Sequence, residues 1–229
     1  MPQPGLHAVV ALASKRWFPK KPMLATGLVF GSLVPDLDGY AQAVAVLLKV
    51  NPAEAEATYH RTLTHSLFTA LAIGLLFQVV GAIRSSDRTR WFGIGLMVGM
   101  AVFHGLLDIL AWFDGVGILW PVKSVNLWQS VHLSELVTNL LRAGNFLAFA
   151  AYFFYFLKLA KEESPYLRRL RTYTILQLGI GIVMTVLAVT IPAKTYGFLD
   201  GGILLLWAYP NALWVTWKMK DTIEGSHHA

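Results

Sequence analysis

The longest apolar runs in this 229-residue chain are each close to the length that crosses a bilayer as a helix, and nothing else in the sequence constrains the fold as strongly. Candidate spans lie at roughly 22–50, 65–83, 91–113, 136–158, 173–191 and 199–217. In hydrocarbon every backbone N–H and C=O needs an internal partner, which leaves helices or closed barrels. The second run would measure about 28 Å as a helix, enough to cross. Composition agrees, with 55% hydrophobic and 14% charged residues, where a soluble domain carries about 25% charge. The expectation is an all-α polytopic transmembrane bundle of about six spans, one membrane-embedded domain over residues 1–229. The first run is too long for one simple span. Pro35 and Gly39 bracket Asp36-Leu37-Asp38, so a broken helix is expected there, of the kind tolerated at membrane depth where it lines a site. Leu6–Ser14 is too short to span and reads as a partial helix tucked against the bundle.

Basic residues set the orientation. Lys15, Arg16, Lys20 and Lys21 precede the first run, and Arg84, Arg88 and Arg90 share one connection. Lys158, Lys161, Arg168, Arg169 and Arg171 share another, and Lys218 and Lys220 follow the last run. Loops at about 51–59, 114–135 and 192–198 carry few Lys or Arg, so the first set faces the cytoplasm. The net charge of +6 is this loop bias; with no continuous basic stripe, a nucleic-acid partner is excluded. Trp112, Trp120 and Trp128 then fall on the outer side, as in an interfacial aromatic belt. Leu127–Arg142 is amphipathic and is expected to lie on that surface before turning inward.

Against this apolar background, charge is conspicuous. LVPDLDGY (33–40) holds Asp36 and Asp38, YHRTLTHSL (59–67) holds His60, Arg61 and His65, and VFHGLLDIL (102–110) holds His104 and Asp108. An ionisable group at membrane depth is costly and is kept where it has a function and a partner. With the basic loops inside, all three groups reach similar depth in the outer half of the bilayer. Imidazoles and carboxylates together suit Zn, Mn, Fe or Ni. The chain has no cysteine, which excludes disulfides and thiolate sites.

Each group has an alternative. His104 and Asp108, four apart on a predicted helix, share a face. They can grip one ion, or the Asp can orient the His, or the pair can be a hydrogen bond between helices. In a strand or irregular turn, Asp36 and Asp38 would point the same way toward one centre; the alternative is Asp36 as the N-cap of a helix from Leu37 onward. Thr64 is a candidate cap for the helix that follows. Arg61 can hold a phosphate bidentately or pair with a carboxylate such as Asp36. His132, Glu135 and Asp114 lie on the outer side, where a general acid or base and an ordinary solvated face are both possible. Asp200 and Lys194 read as loop residues.

The series of an N-terminal His, PDLD, HRTLTHS and HGLLD resembles the YdjM-like family of inner-membrane metal-dependent hydrolases. The likeness runs through His7, Asp36, Asp38, His60, Arg61, His65, His104 and Asp108 and covers residues 1–121. It implies a metal set of His7, Asp36, Asp38, His60, His65, His104 and Asp108, and a place in a bacterial or archaeal cytoplasmic (inner) membrane. Seven ligands exceed what one zinc uses, so one or two divalent ions are expected, zinc first, with manganese or iron as alternatives.

The reading that follows is hydrolysis of a lipid or lipid-linked (phospho)ester by a metal-activated water. Asp36 and His65 are the expected catalytic groups, with Arg61 on the substrate phosphate. The alternative is a metal- or proton-coupled transporter, since His/Asp sites at broken helices serve transporters too.

Overall fold

The computed structural model describes residues 3–111, 115–128, 130–160 and 165–225. It is helical almost throughout, with a single two-stranded hairpin among the described residues. Two compact units are present: residues 3–12 with 133–229, and residues 13–132.

The first unit opens with α1 (Pro4–Ser14), the short helix expected from Leu6–Ser14. The Gly5 amide donates to the Asn145 side-chain oxygen at 2.8 Å, which ties α1 down.

The second unit carries the site. It comprises α2 (Leu24–Leu33), a 3-10 turn at Val34–Leu37, α3 (Asp38–Leu47) and α4 (Pro52–Tyr59). After them come α5 (Leu67–Ile83), α6 (Asp87–Val98), a π-helix at Gly99–Leu106 and α7 (Leu107–Ala111). Strands β1 (Val116–Leu119) and β2 (Lys123–Val125) pair antiparallel, Val116 with Val125. The expected break at Pro35–Gly39 is the 3-10 turn. Pro35 has no amide to donate to the α2 ladder.

The tightest packing joins α2 to the α6–π segment through Gly27, Gly31, Gly95 and Gly99. A Cβ on any of the four would collide with a backbone carbonyl of the facing helix, at Phe92, Leu96, Leu24 and Leu28 respectively. Paired small-xxx-small stripes let membrane helices approach to backbone contact, where dispersion replaces the hydrophobic drive that lipid removes.

The rest of the first unit consists of α8 (Glu135–Leu159), α9 (Pro165–Thr190) and α10 (Ala193–Ile203). A π-helix (Leu204–Ala208), α11 (Tyr209–Lys218) and α12 (Lys220–Glu224) complete it. Its core is aromatic: Phe146, Phe149, Tyr152, Phe153 and Phe156 are fully buried. Two of its polar contacts are Tyr152 with Thr216 at 2.6 Å and the Gln177 amide with the Phe146 carbonyl at 3.1 Å.

Among the described residues, four helices are long and apolar enough to cross a membrane: Asp87–Leu110, Glu135–Leu159, Tyr166–Thr190 and Ala193–Lys218. They coincide with the last four of the expected runs. Pro52–His65 and Leu67–Ile83, bent by 44°, make a fifth if the pair is one broken span. The count of about six differs because 22–50 is divided by its turn into two ten-residue helices, each too short to cross.

Within Leu127–Arg142, helix begins only at Glu135, where the Ser134 hydroxyl caps it. One other expectation changes. Asp200 and Lys194 are helical, not loop residues, and Asp200 is buried in α10. A single acidic residue in an apolar segment carries no periodicity to reveal this.

Candidate metal centre

The break in the first run and the two motif segments after it bring four ligand atoms to one place. Asp36 lies on the 3-10 turn after α2, and His65 ends a second 3-10 turn, Leu63–His65. His104 lies on the π-helix and Asp108 opens α7. π-turns inside helices recur at functional sites. Nε2 of His65 stands 3.7 Å from Oδ1 of Asp36 and 3.5 Å from Oδ2 of Asp108. Nε2 of His104 stands 3.8 Å and 3.5 Å from the same two oxygens.

These distances exceed those of N–H···O bonds, about 2.7–3.2 Å. They approach the spacing of about 3.3–3.6 Å between atoms held tetrahedrally at about 2.0–2.2 Å from a zinc-sized ion. All four side chains are buried. Both oxygens of Asp36 and Nε2 of His65 lack a hydrogen-bond partner. A carboxylate buried in that condition is costly unless a cation compensates it. The residues present fit a divalent ion.

The far sides of the two imidazoles settle which nitrogen faces the centre. Nδ1 of His104 lies 2.9 Å from the Ser32 carbonyl oxygen, which can only accept. Nδ1 therefore carries the proton and Nε2 presents its lone pair. Ser32 lies among the last residues of α2, whose carbonyls a helix leaves without a partner four residues on. Nδ1 of His65 lies 3.2 Å from Oδ2 of Asp38 and 3.1 Å from the Thr64 hydroxyl. That hydroxyl donates to Asp38 Oδ2 at 2.7 Å, so it can only accept from His65, and the same tautomer results.

Asp38 thus stands behind the centre. Besides Thr64, its oxygens receive the Arg61 amide at 2.9 Å and face Nδ1 of His60 at 2.7 Å. His60 is placed on Asp38 and does not join the four ligand atoms. Asp36 caps no helix, and α5 is capped by the Ser66 hydroxyl, which accepts from the Phe68 amide at 3.2 Å, where Thr64 had been the candidate. Nε2 of His104 and Oδ2 of Asp108, the facing side-chain atoms of that pair, stand 3.5 Å apart.

Arg61 is held by its backbone. Its φ is 58°, a left-handed conformation costly for a residue with a Cβ, fixed by its amide on Asp38 and its carbonyl accepting from the Gly117 amide at 2.9 Å. Arg61, with His60, Glu56, Gly117, Trp120 and Ser124, lines a chamber of about 780 Å³. His7 is buried on α1, in the unit of residues 3–12 and 133–229. His132 and Glu135 are exposed, and Asp114 and Trp112 lie outside the described residues. Sequence reasoning did not single out the Ser32 carbonyl or the packing glycines. The glycine spacing of four was available as a signal, but a backbone carbonyl leaves none.

The family model described as YdjM inner membrane protein matches residues 4–209. No curated protein and no solved structure matches the chain.

Proposed function

Because this chain belongs to the YdjM inner membrane protein family, we propose that it is a membrane-embedded, metal-dependent hydrolase of a lipid or lipid-linked (phospho)ester. One observation carries the reading: each of two imidazole Nε2 atoms stands 3.5–3.8 Å from an Asp36 oxygen and an Asp108 oxygen, with both Nδ1 atoms engaged elsewhere. That arrangement supports one divalent ion held by Asp36, His65, His104 and Asp108. Such an ion supplies Lewis-acid activation of water and stabilises developing negative charge.

The protein's own groups do the rest. Asp36 has two oxygens without hydrogen bonds, one for the ion and one to accept a proton from the attacking water. Asp38 and Ser32 hold the imidazoles in register. Arg61, in the chamber wall, suits a phosphate through its planar fork. The basic loops support a chamber toward the outer half of the bilayer.

The donor count bears on metal identity. Four protein donors close a tetrahedral zinc shell, as in structural sites, whereas catalysis needs an open position. Ions that accept five or six ligands, Mn²⁺ and Fe²⁺ among them, provide it.

The test is purified protein in detergent, stripped with chelator and reloaded with Mn²⁺, Fe²⁺ or Zn²⁺, then assayed on a panel of phospholipids and lipid-linked phosphates. The reading predicts that chelation abolishes cleavage, that Mn²⁺ or Fe²⁺ restores more than Zn²⁺, and that Asp36→Asn abolishes it. Metal-loaded protein that cleaves no lipid, or that moves metal into proteoliposomes without cleavage, would sink it.

A further inference from the structure

The chamber beside the metal centre adjoins a second cavity of different character. Trp120 and Pro121 line both. Beyond them, Leu63, Phe68, Thr69, Ala72, Ile73 and Leu76 line a groove of about 410 Å³ along α5, with no charged side chain. Both volumes lie within the range of about 300–1,000 Å³ usual for small-molecule sites. Leu63, Phe68 and Leu76 are each more than half exposed, so the groove opens sideways, along a helix whose mean composition is strongly apolar. The dividing wall is anchored: the Ser66 hydroxyl donates to the Trp120 carbonyl at 2.8 Å while capping α5. Ser66 directly follows His65, so one hydroxyl fixes the junction of chamber and groove relative to a ligand of the metal centre.

We propose that the groove between Leu63 and Leu76 seats one alkyl chain of a membrane lipid whose polar end lies in the chamber with His60 and Arg61. This deepens the hydrolase reading and rests on it for the identity of the lipid as substrate. The occupant follows from adjacency: a polar chamber and an uncharged groove flank the same two residues, Trp120 and Pro121, an arrangement that suits a molecule with a polar head and an apolar tail. A chain already in hydrocarbon gains little by moving into the groove, because lipid tails are as apolar as its walls. The groove therefore contributes orientation, aligning the scissile bond, and its loss should lower kcat more than it raises KM.

The experiment uses full-length protein in lipid nanodiscs with a glycerophospholipid bearing a diazirine at the end of one acyl chain. Ala72 is exposed and lines the groove, so Ala72→Trp fills it without disturbing the core. Leu76→Trp is the second filling variant, and Leu75→Trp, on α5 but outside the groove, is the control. Photolysis of wild type should place adducts on Phe68, Ile73 and Leu76, and Ala72→Trp should lose them while Leu75→Trp keeps them. On esters of rising chain length, the filling variants should lose about tenfold or more of the long-chain rate. They should keep wild-type metal content and wild-type hydrolysis of a short-chain ester. Adducts spread evenly over Leu71, Leu75 and Val79 as well would overturn the proposal, whatever the activity. Adducts confined to the groove in a protein that cleaves nothing would uphold the groove and reject the hydrolase.

Discussion

At the scale of single residues, the division of labour between Asp36 and Asp38 decides what the centre can do. Asp38 accepts from the Thr64 hydroxyl and the Arg61 amide and faces both His60 and His65. An amide there would turn an N–H₂ toward donors, so Asp38→Asn should weaken metal binding by about 10–100-fold, the usual cost of losing a partner behind a ligand. The protein should still fold, and competition with a fluorescent chelator reads the affinity. Unchanged affinity would show that His65 needs no such support. The sequence offered both aspartates but assigned them alike, through the two-residue period of a strand or irregular turn. In a 3-10 turn, at about 120° per residue, positions two apart diverge by about 120°. Asp36 therefore turns to the histidine centre and Asp38 to the turn at 60–65. Arg61 has its own test: Arg61→Lys keeps charge but loses the fork, so a phosphate role predicts lower turnover at unchanged thermal stability. A fall in stability with normal turnover per folded molecule would instead make it a folding residue.

At the scale of elements, the centre depends on how closely α2 meets the α6–π segment. Gly31 precedes Ser32, whose carbonyl fixes His104, and a Cβ on Gly31 would strike the Leu96 carbonyl. Backbone cannot yield as a flexible side chain can. Gly31→Ala should therefore cost about 1–3 kcal/mol, as overpacking does, and should also lower metal content by moving the Ser32 carbonyl away from Nδ1. Thermal unfolding in detergent with metal analysis checks both. A wild-type melting temperature together with full metal content would contradict the coupling. The break itself was legible, because Pro35 and Gly39 bracket two acids inside an apolar run. The π-helix beneath His104 was not, because its hydrogen-bond register leaves no mark in residue type. The i, i+4 spacing placed His104 and Asp108 on one face under either register.

At the scale of the whole molecule, the chain is an integral inner membrane protein of the YdjM family. The all-α membrane class was legible from apolar run length alone. The span count was not, because length cannot tell a long span from two short helices joined at a turn. Orientation can be tested directly, since the chain has no native cysteine. Ser85 and Ser124 are both exposed. Ser85→Cys should react with an impermeant maleimide only from the cytoplasm, and Ser124→Cys only from outside. The reverse pattern would move the chamber to the cytoplasmic leaflet and change the pool of lipids it meets. The most direct test of the central claim, a metal held by Asp36, His65, His104 and Asp108, is the metal content of purified protein. Elemental analysis should find about one divalent ion per chain in wild type and in the exposed-histidine control His132→Ala. It should find far less in Asp36→Ala, His65→Ala and His104→Ala. Equal metal in all five proteins, or none in wild type after loading, would contradict it.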